Sequence, residues 1–501
     1  MWIKRIKPIW FFYSLVAIYF VSLKFIFPSE GMGWQDDPHF LSPLPASQLF
    51  DRIVDYYMLR CGRLGETINL VFMNWITHGI GFTPFNFPWF TLRLLGGVVV
   101  SLSFGNFTHG ILRMSGVVTS LPVYLIYLFG FVFLALSVPI SEGMSLAIIH
   151  SNYCTPIFLT SLVFLWISRE KIPSLTILNS LALTLFCWYI SVIHEQLVFT
   201  MSILLPGITL FNYFAGRISW KQFLKHAVIT LLIVGSSLVT VLLAPGQTAR
   251  MKTLDPSGKT TLHLFWWVFE STHTLGKLMT LPMAWHGNLA RPFLYILVAL
   301  TIGLFIWIYR KRGKLVRSES RILYFSVLFL WMGYLTQITQ LVSLYFPERA
   351  RILPMHHYMI GLGLLALFLF MTAKNYLKNH YKAFEIAAIS IGVMISLYRI
   401  PTQVKQGYQW WEAWNSIGTR AATFYQSLNA EALKSQSIIR FDYDACHIAS
   451  VFYDVPESSL AIIRWAKLDQ KVEVFSNGKI YNPLPKEWPR KTGNFPCDLG
   501  V

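Results

Sequence analysis

The chain predicts an α-helical polytopic membrane protein, and three observations carry that prediction. Hydrophobic residues make up 54% of the 501 residues and charged residues only 13%, against about 25% charged in a soluble domain. Mean hydropathy is +0.49. Apolar stretches of roughly 20 residues, the length that crosses a bilayer core, recur from residue 9 to residue 399.

The stretches fall at about 9–27, 87–107, 118–139, 153–168, 173–192, 196–214, 226–243, 292–309, 322–345, 355–373 and 384–399, which predicts a bundle of about 11 transmembrane helices. The first follows Lys4, Arg5 and Lys7 and leads into Phe-Pro-Ser-Glu-Gly. No small-residue cleavage site stands there, so it reads as an uncleaved anchor rather than a signal peptide. Lys24, near its far end, can snorkel to the interface. Arg93 interrupts the second stretch, and Gln337 and Gln340 interrupt the ninth. The membrane domain therefore covers 1–399, with 28–86 as its first outer loop.

Basic residues orient the bundle. Arg113, then Arg169 and Lys171, then Arg217, Lys221 and Lys225 follow at every second junction, and Arg310–Arg317 and Lys374–Lys382 continue the series. Positive charge marks cytoplasmic loops. Of the 14 acids in 1–399, only Glu170, Glu319 and Glu385 fall on that side. The net charge of +18 is thus topology and anionic-lipid contact, and a nucleic-acid partner is not expected. The reading places the N-terminus in the cytoplasm and the chain in a bacterial inner membrane.

After residue 399 the pattern changes. Residues 400–501 hold 10 of the 24 acids, and Ser-Ile-Ile-Arg-Phe-Asp-Tyr and Lys-Val-Glu-Val-Phe alternate as half-buried strands do. Residues 409–433 have a helical pattern. This predicts a small α/β or α+β domain on the outer, periplasmic face. Cys446 and Cys497 both lie in it, where an oxidising compartment permits a disulfide. Cys154 and Cys187 lie in spans and read as core residues.

The residues capable of chemistry sit in outer loops. Asp36 and Asp37 are adjacent, about ten residues past the first span. In the same loop Arg52, Tyr56, Arg60 and Arg63 share one face if the segment is helical. Phe50, Val54, Tyr57 and Met58 then face the membrane surface, as in an interfacial helix. Further outer loops hold Glu142, the pair His194-Glu195, Arg250 after Ala-Pro-Gly, and Arg349 and Arg351 after Phe-Pro. Ionisable groups beside hydrocarbon are costly, so their presence there points to function. Arginine grips phosphate through charge-assisted hydrogen bonds, and a carboxylate can take a proton from an attacking hydroxyl. Caps, headgroup anchors and interface belts account for the same residue types; Trp266, Trp267 and Trp285 read as belt residues. There is no P-loop, His-Glu-x-x-His or Cys-x-x-Cys. No spacing demands a cofactor or metal, although Asp36, Asp37 and an outer Glu are residue types that ligate Mg or Mn.

The order of these motifs resembles a family. An acidic pair in the first outer loop comes first, then Gly-Arg at 62–63. His-Glu follows a middle span, Ala-Pro-Gly-x-x-x-Arg at 244–250 a later one, and Phe-Pro-x-Arg at 346–349 comes last. The set resembles the phage and bacterial integral-membrane glucosyltransferases of serotype conversion (Gtr type), within the GT-C glycosyltransferases that use lipid-phosphate sugars. The resemblance implies a GT-C-like bundle and transfer of a hexose, glucose in the serotype-converting enzymes, from a polyprenyl phosphate to an O-antigen or other surface glycan. It implies that Asp36 or Asp37 is the catalytic base and that Arg63, Arg250 and Arg349 contact the donor. Many GT-C enzymes separate their first-loop acids by one residue, whereas here the two are adjacent. Two other readings stand beside this one. A flippase or transporter of lipid-linked sugars would carry charges at mid-membrane in broken helices. An O-antigen polymerase or ligase would rely on a large, Arg-rich late loop.

Overall fold

A computed structural model describes residues 7–26, 46–55, 57–58, 63–80, 89–117, 121–131, 150–169, 177–246, 290–310, 317–337 and 352–377, together with scattered helical positions in 382–401 and three short strands. In chain order the helices are α1 (Pro8–Ile26), α2 (Leu49–Asp55, after a 3-10 turn), α3 (Leu64–Gly79), α4 (Trp89–Ser115) and α5 (Leu121–Gly130). A π-helical turn, His150–Cys154, precedes α6 (Thr155–Ile167). Then come α7 (Ile177–Ser191), α8 (Glu195–Phe214), α9 (Trp220–Leu242), α10 (Ala290–Arg310), α11 (Ser318–Leu335) and α12 (Ile352–Leu377).

Each predicted apolar stretch except the last coincides with one of these helices; 384–399 falls among the scattered positions. Among the described residues, five helical segments are long and apolar enough to cross a membrane: Pro8–Ile26, Leu94–Ser115, Glu195–Phe214, Trp220–Val241 and Ile352–Ala373. The described chain is mostly helical and compatible with a multi-pass membrane protein.

Helix contacts follow the rules for packing in lipid, where close approach rather than hydrophobic exclusion holds helices together. α11 and α12 meet where Gly333 lies under the Tyr358 ring and Gly361 under Leu330; a Cβ built on either glycine would sit within 2.8 Å of its neighbour. Phe104, Phe107, Phe164, Phe211, Phe325 and Phe329 fill the centre and are fully buried. Several polar side chains in the bundle have helix-to-helix partners: Tyr13 donates to Asn106 at 2.6 Å, Asn106 to Ser161 at 3.0 Å, and Tyr324 to the Gly207 carbonyl at 2.7 Å. Gln337, the polar interruption in the ninth stretch, is buried and donates to the Gly333 carbonyl at 3.1 Å. Cys154 and Cys187 are buried thiols, neither in a disulfide.

The bundle has two distinct ends. At one, α8 closes on Gly216, whose φ of +69° only glycine adopts readily. Arg217 N–H bonds the Asn212 carbonyl and Gly216 N–H the Tyr213 carbonyl, a Schellman turn. Ser219 and Gln222 form a capping box that starts α9. Contacts gather basic residues here: Gly110 approaches Ser168, Arg321 donates to the Met114 carbonyl at 3.4 Å and Tyr324 to the Gly207 carbonyl, so Arg113, Arg169 and Arg317 stand at the same end as Arg217, Lys221 and Lys225. Glu66 and Glu195 lie at the other.

The segment 28–86, expected to be a loop, is more structured than its sequence pattern indicates. It contains α3, sixteen residues long, which Glu66, Asn69 and Asn74 disguise by breaking its apolar run. Arg52 belongs to α2 and Arg63 stands just before α3, so the two are on different helices rather than on one face of a single one. Phe50, Val54 and Met58 are exposed as expected, while the Tyr57 hydroxyl donates to the Thr240 carbonyl of α9 at 2.9 Å.

In the tail, β1 (Ile439–Asp442) pairs parallel with β2 (Val472–Ser476), which pairs antiparallel with β3 (Lys479–Tyr481). Both alternating segments picked out in the sequence are strands of this sheet. Residues 409–433, Cys446 and Cys497 lie outside the described residues.

Candidate functional site

Two of the predicted site motifs, from loops 132 residues apart, meet at the end opposite Gly216. Arg63 donates from Nε to Glu195 Oε2 at 2.8 Å, and from Nη1 to Glu66 Oε2 at 3.1 Å. Glu66 and Glu195 are each only 5% exposed. At such burial an isolated charge is costly, so the guanidinium and the carboxylates depend on one another.

Local structure explains why the residues reach. α3 presses its first turn on the corner between α7 and α8, where Gly65 N–H bonds the Val192 carbonyl at 3.0 Å. A Cβ on Gly65 would lie 2.6 Å from Ile193 Cγ1, so no larger residue fits. Glu66 lies in the first turn of α3 and Glu195 in the first turn of α8, where the helix dipoles favour negative charge. Farther along, Tyr189 of α7 donates to Asn69 of α3, which clamps the two helices.

His194 is the N-cap of α8. Its Nδ1 accepts from Gln196 N–H at 3.2 Å. That bond requires a lone pair on Nδ1, so in the neutral ring the proton is on Nε2. Nε2 is 3.0 Å from the Tyr153 hydroxyl and donates to it. Tyr153 comes from the π-helical turn, a feature often found at functional positions. Glu195 Oε2 also lies 3.4 Å from His194 Nδ1, so protonating the ring would set an ion pair against the helix cap.

Arg63, Glu66, Tyr153, His194 and Glu195 thus form one polar node. With His194 neutral its formal charge is −1, from two carboxylates and one guanidinium. Among the described residues no group of three or more His, Cys, Asp or Glu is arranged to hold a metal ion; Glu66 and Glu195 share the Arg63 guanidinium. Asp36, Asp37, Arg60, Glu142, Arg250, Arg349 and Arg351 lie outside the described residues. Sequence reasoning had not picked out Glu66 or Tyr153. The i, i+3 spacing of Glu66 from Arg63 was a usable signal; nothing in the sequence marked Tyr153.

No protein-family model, curated protein or solved structure matches the chain.

Proposed function

We propose that the protein is a multi-pass inner-membrane glycosyltransferase that moves a hexose, glucose by the motif resemblance, from a polyprenyl phosphate to a hydroxyl of an O-antigen or similar surface polysaccharide repeat. The observation that best supports this is the 2.8 Å contact between Arg63 and Glu195, which joins two motifs of the set in one buried node. In this reading the node faces the periplasm, as does the tail, and the basic end faces the cytoplasm.

Asp36 or Asp37 accepts the proton of the acceptor hydroxyl as its oxygen attacks the anomeric carbon. The bond from that carbon to the phosphate oxygen breaks on the opposite face, the configuration inverts, and the polyprenyl phosphate leaves with the bonding electron pair. Arg60, Arg250, Arg349 and Arg351 stabilise the charge that grows on the phosphate. Arg63 already engages two carboxylates, so its part is to hold Glu195, which with His194 and Glu142 contacts sugar hydroxyls. No step requires a metal; a divalent cation would belong with Asp36 and Asp37.

The test is Asp36→Asn combined with Asp37→Asn in the full-length protein, with transfer of labelled glucose from polyprenyl-phosphate glucose as the readout. Loss of a general base predicts a fall of about a hundredfold or more while membrane insertion is unchanged. Transfer at the wild-type rate by the inserted variant would refute the assignment.

A further inference from the structure

A groove on the outside of the bundle, away from the Arg63 node, has no part in the reaction above. Its wider part, about 330 Å³, lies between α6 and α7 and is lined by Leu162, Val163, Trp166, Ala182, Leu183 and Phe186. A volume of that size lies at the lower end of the range for ligand sites, about 300–1,000 Å³. Trp166 and Leu183 also border a narrower crevice that enters between α7, α8 and α9 and reaches Asn212 and His226.

The groove changes character along its length. Its walls are apolar, with Cys187, Leu205 and Ile233 buried behind it. Toward Gly216 it acquires Thr209, Asn212 and His226, an expensive set of polar groups for a surface that touches only hydrocarbon.

Positive charge gathers at that same end. The Schellman turn carries Arg217 back beside α8, where its Nη1 donates to Asn212 Oδ1 at 3.4 Å. Lys221 and Lys225 are exposed. They continue, at intervals of four residues, into Ile229 and Ile233, which line the crevice; residues so spaced lie on one ridge of the helix. No acid occurs in 215–226.

We infer that this groove seats one anionic phospholipid, with an acyl chain along Trp166, Leu183 and Ile233 and the phosphate held by Arg217, Lys221 and Lys225. Basic pockets between membrane helices bind anionic headgroups in this way. The apolar length distinguishes a lipid from free phosphate, and the three cations distinguish an acidic lipid from a zwitterionic one. The inference does not depend on the glycosyltransferase reading.

The experiment is native mass spectrometry of the full-length protein in detergent, titrated with dioleoyl-phosphatidylglycerol, dioleoyl-phosphatidylcholine or inorganic phosphate. One phosphatidylglycerol per chain should be retained, and neither of the other probes. The triple variant Arg217→Gln, Lys221→Gln, Lys225→Gln should lose affinity on the order of a hundredfold, from three basic contacts. Leu183→Trp fills the apolar half, keeps every charge and should weaken retention as well. Arg113→Gln, an exposed base at the same end, should leave retention unchanged. Equal retention of the two lipids would overturn the inference, as would equal losses from Arg113→Gln and the triple variant. If the triple variant does not fold, full retention by Leu183→Trp overturns it.

Discussion

Arg63 holds two buried carboxylates, and removing it should be costly for that reason. Arg63→Gln leaves Glu66 and Glu195 facing each other without a cation, which predicts a loss of about 3–5 kcal/mol, read as a lower melting temperature in detergent. Glu66→Gln keeps the 2.8 Å pair between Arg63 and Glu195 and should cost less, about 1–3 kcal/mol. A double-mutant cycle on Arg63 and Glu195 should return a coupling of at least about 0.5 kcal/mol; additive effects would show that the pair is not energetically linked. Arg63, His194 and Glu195 stand out in the sequence as ionisable residues of the segments between apolar stretches, a placement that caps and headgroup anchors also explain. Their mutual contact does not, since the residues come from separate loops. Tyr153 was hidden for another reason: it is presented by a π-helical turn, which has no repeating pattern to read.

The decisive element is α3. Its first turn lies so close to the α7–α8 corner that Gly65→Ala would place a methyl 2.6 Å from Ile193 Cγ1. Overpacking of that kind costs about 1–3 kcal/mol, and because it displaces Arg63 and Glu66 it should also reduce transfer activity. Wild-type stability and activity in Gly65→Ala would show that the corner is loose. The apolar helices were readable from length and hydropathy, because a run of some 20 apolar residues has few other outcomes. α3 was not, because Glu66, Thr67 and Asn74 are buried in it while Phe72, Trp75 and Ile76 are exposed. A helix with a polar buried side and an apolar outer one reads as a loop when judged by its average. The same close-approach logic governs α11 and α12. Gly361→Leu should disrupt them, lowering the yield of folded protein, while Gly303→Leu on α10, where a Cβ meets nothing within 4 Å, should be tolerated.

For the whole molecule, the proposed function requires the two ends of the bundle to face opposite sides of a membrane. The charge distribution predicts that the bases of alternate junctions share one side of a membrane; contacts among α4, α6, α8 and α11 place Arg113, Arg169, Arg217 and Arg317 at one end of the bundle. Sequence alternation likewise anticipated strands at 439–442 and 472–476, since a half-buried strand writes its own period of two; it carried no information on their parallel pairing. In a background with Cys61, Cys446 and Cys497 changed to Ser, an impermeant thiol reagent should label Ile80→Cys from the periplasm and Ser219→Cys only after permeabilisation. Labelling of both from the same side would break the topology. The account as a whole stands on whether a sugar is transferred. Mass analysis of lipopolysaccharide from cells with and without the protein, supplied with a polyprenyl-phosphate glucose synthase, should show a gain of one hexose per repeat, lost in Asp36→Asn, Asp37→Asn. Unchanged glycans, with the lipid-linked sugar redistributed across the membrane instead, would contradict the glycosyltransferase and indicate a transporter.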